Sequence, residues 1–527
     1  MDPSLPRVTS RQAALSLSVL YVSLLVAALG LQERVSAQDA RAQLAAAASQ
    51  QEVRFNRDVR PLLADRCFHC HGPDAHDRKG KLRLDRADGP QGATTARDGI
   101  QAIRPGSLED SELWYRLTTT DEHDLMPPLD SNKQPLDAQE RELIKRWIEQ
   151  GAPYQDHWAF VAPTQPSAPQ VADEAWLEQP LDGFVLRQLE SQGLAPSPKA
   201  DKRTLLRRAS FDLTGLPPTL DEIQAFLEDD DAGAYERVLD RLLSSPRFGE
   251  HRAKYWLDLV RFADTNGLHH DHYRDQSPYR DWVIRSLNAN LPYDRFVTEQ
   301  LAGDLIPDPT DQQLIASGFN RLHMIIDGGT MLPEESLARN VIDRVSAVGT
   351  AFMGLTVQCA VCHDHKYDPI EQKDFYQLSA FFNNLDGAPE TGGRSGADFR
   401  RGLQPPYISF PTEDQSAGLE SFDQERATLQ ARHDELQASA ESTEEEAVAP
   451  DEEYAAQLKH LQDELKRVQR ERTELMVSVA GAMVMKERTE VRPAHILVRG
   501  AYDNPGELVE RNVPGFLPSM EPKDGLR

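Results

Sequence analysis

The sequence predicts a mainly α-helical chain of several domains, and three observations carry that expectation. Apolar residues recur at helical spacing over long stretches, as in Leu337, Val341, Val345, Val348 and Phe352. Two strongly charged segments, Glu420 to Gln437 and Glu453 to Val477, read as helices, whereas one short passage, His495 to Gly500, looks like a strand. With 527 residues and 39% hydrophobic content, the chain is long enough for two or three domains with their own cores.

Residues 1–37 read as an export signal. Arg7 and Arg11 form a basic start, Ala13 to Leu31 is an uncharged apolar run, and Val35-Ser36-Ala37 offers a small-residue cleavage site. The expected location is periplasmic or otherwise outside the cytoplasm. Because the apolar run is nearly long enough to span a bilayer, an uncleaved N-terminal membrane anchor is the alternative. No later segment is apolar enough to span. A net charge of -27 and a pI near 5.0 argue against nucleic acid or an anionic membrane surface as partner and favour a basic one.

The only four cysteines are Cys67, Cys70, Cys359 and Cys362, each in a C-x-x-C pair followed at once by a histidine, His71 or His363. This spacing suits haem c. Each thiol adds across a haem vinyl group, two intervening residues match the reach between the vinyls, and the adjacent imidazole supplies an iron ligand. Two covalently attached haems are therefore expected. A zinc ribbon would separate its pairs by about 15 to 20 residues, and here they lie nearly three hundred apart. A thioredoxin-type pair would want a βαβ setting that neither flank suggests.

Around the first motif, Phe55, Val59, Leu62 and Leu63 share one face of a helix that runs into Cys67. Asp137 with Glu140 forms a capping box for a second helix, whose Leu143, Ile144, Trp147 and Ile148 share a face and which Gly151 closes. Between the two helices lies Leu125-Met126-Pro127-Pro128, a loop stiffened by proline whose thioether is a good sixth ligand for haem iron. This order resembles the monohaem cytochrome c fold. It is most similar to the planctomycete-type cytochrome c domain, through Phe55-Asn-Arg-Asp-Val-Arg-Pro61, Cys67-Phe-His-Cys-His-Gly-Pro-Asp74 and Met126-Pro-Pro128. The resemblance implies a domain over 52–162 with His71 proximal and Met126 distal. His69 and His76 read as surface or propionate-side residues.

Residues 163–180 are rich in proline and read as a semi-rigid linker. A larger helical domain follows over 181–390, with helices expected at Glu236 to Leu243, Glu250 to Ala263, Tyr279 to Asn288 and Glu371 to Phe382. It resembles the second, uncharacterised cytochrome-associated domain of the same multidomain proteins. The resemblance is carried by Phe211-Asp-Leu-Thr-Gly-Leu-Pro-Pro218, Tyr255-Trp-Leu-Asp-Leu-Val-Arg-Phe-Ala-Asp264, Pro292-Tyr-Asp-Arg-Phe296, Gln300-Leu-Ala-Gly-Asp304 and Cys359 to Ile370. Where that family usually has a histidine, this chain has Tyr255. No methionine follows Cys362 until Met476. For the sixth ligand of the second iron, His323 and Met324 are the first choice and the cluster of His269, His270 and His272 the second. His365 reads as a local hydrogen-bonding residue.

Residues 416–478 are expected to form a charged antiparallel helical hairpin with Leu458, Leu461, Leu465 and Val468 in its seam. The resemblance implies that 479–527 begins a further C-terminal domain, so that the chain is a fragment or a truncated member. Three functions fit. The first is a dihaem electron carrier exchanging electrons with a redox partner protein; the second is a haem-dependent oxidoreductase acting at an open second iron; the third is an exported scaffold or polymer-associated redox protein. With aromatic residues at 7%, no binding platform supports the third. No hydrolase elbow, H-E-x-x-H helix or phosphate loop is recognisable, and no catalytic residue is assigned.

Overall fold

A computed structural model describes residues 52–74, 77–327, 332–387, 395–441 and 452–520. The expected export signal, His76, the side chain of His269 and the acidic break ending at Pro450 lie outside the described residues. The chain divides into two compact units, Met1–Ala162 and Pro163–Arg527. Both are mainly helical, and no described helix is long and apolar enough to cross a membrane.

In the first unit a π turn, Phe55–Val59, runs into helix Arg60–Arg66, which is followed by the short helix Phe68–His71. Phe55, Val59 and Leu63 are fully buried, and they pack with Ile144, Trp147 and Ile148 from helix Ala138–Glu149. The two apolar stripes face each other because each helix has only one side to bury. At the start of Ala138–Glu149, Asp137 Oδ1 accepts from the N–H groups of Gln139 and Glu140 at 2.7 and 2.8 Å, and Glu140 Oε2 accepts from Asp137 N at 2.9 Å. Asp137→Ala is expected to remove about 1 kcal/mol, read as a lower midpoint in urea unfolding of the first unit. Gly151 stops the helix in a left-handed conformation, φ +94°, that glycine adopts without steric cost.

The second unit is built on helices from Pro180–Ser191 to Gln372–Phe382. Helices Ala234–Leu243, Pro246–Leu259, Ser277–Asn288 and Gln372–Phe382 lie where apolar spacing places them, with ends shifted by a few residues. Three of the sequence segments that carry the family resemblance contribute to the packing of the unit. Trp256 Nε1 and Tyr279 Oη both donate to Oε1 of the buried Gln300, at 3.0 and 2.6 Å, and the Trp256 ring meets Phe296 edge-on. A Cβ on Gly303 would sit 2.1 Å from the Gln313 carbonyl, so only glycine allows that approach. Tyr255 is exposed and packs its ring against His251.

Buried arginines tie this unit together through main-chain carbonyls, among them Arg401, whose Nε donates to Val479 O at 3.0 Å. Arg321 donates to the carbonyls of Gln404, Pro405, Pro406 and Val484 at 2.9–3.5 Å. Arg274 reaches the carbonyls of Arg321 and His323, and Arg344 those of Asn320 and Phe382. Among the described residues, three small sheets complete the unit. Strand Gly267–His269 pairs parallel with Ile325–Asp327, Tyr407–Phe410 antiparallel with Ala480–Met483, and Ala494–Leu497 antiparallel with Pro505–Val509.

Helices Glu413–Glu441 and Glu452–Val477 run antiparallel, joined by Arg467 to Glu425 at 2.6 Å and Arg472 to Asp423 at 2.8 Å. Val468 is buried between them, with Leu458, Leu461 and Leu465 half-buried. The first helix outruns the expected Glu420 to Gln437, because a nucleated helix propagates into flanking charged residues at little cost, whereas the second matches the expected Glu453 to Val477 to within one residue. The described residues of the C-terminal segment pack within the second unit. Arg492 Nη1 donates to Asn383 O at 2.8 Å, Met485 N to Ser317 Oγ at 2.9 Å, and Lys373 pairs with Glu507 at 2.7 Å.

Candidate functional site

Helix Arg60–Arg66 delivers the first cysteine pair. Cys67 N donates to Leu63 O at 2.8 Å, and the N–H groups of Cys70 and His71 both return to Cys67 O, at 3.1 and 2.8 Å. One helical turn thus places two sulfurs and an imidazole on the same face, three and four residues apart. The loop after the motif is fastened to it through Lys79 N to Cys70 O at 2.7 Å and Leu84 N to His71 O at 2.8 Å. The thiols are not joined as a disulfide. Burial pushes the Cys67 thiol up to about 12, opposite to the low value that a reactive redox cysteine needs.

His71 Nδ1 is buried and meets no hydrogen-bond acceptor among the described residues, and burial lowers the pKa of the ring. A neutral imidazole in an apolar setting suits coordination of a metal. Met126 is half-buried, and its N–H donates to the Arg116 carbonyl at 2.9 Å. His69 is exposed.

The second pair sits on a 3-10 turn, Val357–Val361, reached from helix Pro333–Val348 through a π turn that Gly354 ends at φ +64°. Cys359 and Cys362 are exposed and unjoined. The carbonyl of Val361, inside the motif, accepts from Tyr376 Oη and Gln372 Nε2, both at 2.9 Å, and the same two groups reach the Leu497 carbonyl at 3.5 and 3.3 Å. Helix Gln372–Phe382 therefore fixes the cysteine loop and a late strand together. Gln372, Tyr376 and Gly500 go unnoticed in the sequence, since a tyrosine on an apolar helix face looks like any core aromatic. Gly500, at φ +72°, lies so near the motif that a Cβ there would stand 2.8 Å from Cys362 Sγ.

His363 is exposed, and its Nδ1 lies 2.7 Å from the Asp364 carbonyl. A carbonyl can only accept, so the proton is held on Nδ1 and the lone pair of Nε2 is left for a metal. His365 is buried and otherwise engaged: its Nδ1 accepts from the N–H groups of Tyr367 and Asp368, and its Nε2 meets Thr356 Oγ1 at 3.1 Å. His323 is buried and Met324 is half exposed. His270 and His272 stack on each other, and His272 meets Phe399 edge-on.

Residues 67–130 match the family described as planctomycete cytochrome C, and residues 180–387 match a family described as a protein of unknown function, DUF1549. The chain belongs to the planctomycete-type multidomain cytochromes. No curated protein and no solved structure matches it. The first match spans Cys67, Cys70, His71 and Met126 of this cytochrome, and the second spans Cys359, Cys362 and His363. A cytochrome c domain implies haem c, and the unjoined thiols, the one-turn spacing and the orphaned His71 nitrogen fit that group. Among the described residues, no group of three or more His, Cys, Asp or Glu is arranged to hold a metal ion.

Proposed function

We propose that this cytochrome is an exported, periplasmic dihaem electron carrier. One haem c is attached at Cys67 and Cys70 with His71 and Met126 as ligands, and a second at Cys359 and Cys362 with His363. The observation that supports the second haem best is the His363 ring, whose Nδ1 is held by the Asp364 carbonyl so that Nε2 is free to bind. When bound, haem supplies a one-electron couple. The chain contributes the covalent anchors, the orientation of each imidazole and the apolar cover over the first motif from Phe68 and Leu84. A net charge of -27 points to a basic redox partner protein. The exposure of Cys359, Cys362 and His363 favours a second reading, in which an open second iron reduces or oxidises a small molecule.

Maturation of the full chain with haem-attachment machinery is expected to add the mass of two haems. Cys359→Ala/Cys362→Ala is expected to lose one, and Cys67→Ala/Cys70→Ala the other. A wild-type chain carrying one haem, or zinc in place of haem, contradicts the dihaem reading. Carbon monoxide binding to the reduced wild-type second haem supports the oxidoreductase over the carrier.

A further inference from the structure

A cavity of about 570 Å³ opens between helices Pro246–Leu259 and Ser277–Asn288 and the start of helix Tyr293–Ala302. Small-molecule sites span about 300–1,000 Å³, so this one is large enough to hold a ligand. Phe248, Arg252, Tyr255 and Trp256 stand at positions i, i+4, i+7 and i+8 of the first helix and share the face that forms one wall. Past the end of the second helix, Asn290 at φ +49° turns the chain so that Tyr293 and Phe296 reach the same cavity. Asparagine tolerates that left-handed conformation.

Five aromatic rings therefore line one cavity in a chain whose aromatic share is only 7%, a concentration that composition conceals. Trp256 is fixed by its Nε1–H on Gln300 Oε1 and by its edge-on contact with Phe296, so this part of the lining is in place before a ligand arrives. Tyr255 and Tyr293 are more than half exposed and stand at the mouth.

Two polar side chains of the lining have bonding capacity to spare. Arg252 is the only charged residue among the described residues that line the cavity, which holds no Asp or Glu. Its guanidinium lies over the Phe248 ring at 5.8 Å and makes no ion pair or hydrogen bond among the described residues, whereas Arg241, Arg247 and Arg261 are each paired with a carboxylate. Stacking uses the face of a guanidinium and leaves its N–H fork open. Ser286 is 7% exposed, and its hydroxyl likewise has no hydrogen-bond partner among the described residues. In a chain with 85 acidic and 58 basic residues, an arginine left unpaired in an aromatic cavity selects for an anion. The fork matches a carboxylate, and the rings match a flat apolar body.

We propose that this cavity binds a small aromatic carboxylate, with its ring against Trp256 and the two tyrosines and its carboxylate on Arg252. The assignment goes beyond the electron-carrier reading and depends on neither haem.

Isothermal titration calorimetry of the full chain tests it, with 6-hydroxy-2-naphthoate as the probe. One equivalent is expected to bind, and Arg252→Gln to weaken binding at least about tenfold through loss of the charge-assisted bond. Arg252→Lys, which keeps the charge and loses the fork, is expected to fall between the two. Tyr293→Ala is expected to weaken binding by loss of a ring. Naphthylmethylammonium, with the same rings and the opposite charge, and cyclohexanecarboxylate, with the same charge and no aromatic ring, are expected to bind far more weakly. Circular dichroism is expected to match wild type in every variant, since Arg252 makes no ion pair and Tyr293 is exposed. No binding of the naphthoate, binding that Arg252→Gln leaves unchanged, or equal binding of the ammonium compound overturns the proposal. So does a concentration-dependent dimer that Tyr293→Ala abolishes, which would make the cavity a seat for a second copy of the chain.

Discussion

Arg321→Met is expected to destabilise the second unit by about 4 kcal/mol, read as a lowered midpoint in urea unfolding followed by circular dichroism. The Arg321 side chain is fully buried and its guanidinium reaches the carbonyls of Gln404, Pro405, Pro406 and Val484. Each buried carbonyl that loses its donor costs about 1–3 kcal/mol, and partial relaxation of the 404–406 loop recovers some of that. Methionine fills much of the volume, so the effect isolates the hydrogen bonds from the packing. Lysine is expected to rescue little, because an ammonium lacks the planar fork that spans several acceptors. Arg247→Met, at an exposed salt bridge with Glu250, serves as the contrast and is expected to leave the unfolding midpoint nearly unchanged.

In the first unit the corresponding change is Trp147→Ala, with an expected loss of about 4 kcal/mol. The indole is fully buried, stacks on Phe55 at 5.6 Å, meets Tyr154 edge-on at 5.2 Å and donates Nε1–H to the Pro153 carbonyl at 3.2 Å. Truncation opens a cavity between the two helices that bracket the unit and orphans one carbonyl. Thermal unfolding monitored by circular dichroism measures the loss. Trp147→Phe is expected to retain more than half of the stability, since most of the ring volume stays in place. Equal losses for the two variants would mean that the hydrogen bond, and not packing, dominates.

The helical class and both C-x-x-C-H motifs were legible because their signals are local: helical periodicity falls within a few turns, and haem attachment demands fixed neighbours. The capping box at Asp137 and Glu140 was readable for the same reason. Helix ends shifted where capping or propagation decides them, as at Ser277 and Glu413. The arginine clamps were invisible, since their acceptors are main-chain carbonyls, which any residue supplies. Gly500 likewise gains meaning only through its nearness to Cys362.

The position of those clamps separates inheritance from folding. The family match in the second unit ends at residue 387, yet the carbonyls that Arg321 holds begin at Gln404, and Leu497 shares the hydrogen bonds that steady the Cys359 turn. The matched segment is thus shorter than the hydrogen-bonded structure it belongs to. A fragment cut at the edge of the match would leave a guanidinium without those four acceptors and the Cys359 turn without the strand that shares its hydrogen bonds, so residues after 387 support the second cysteine motif as much as those within the match do.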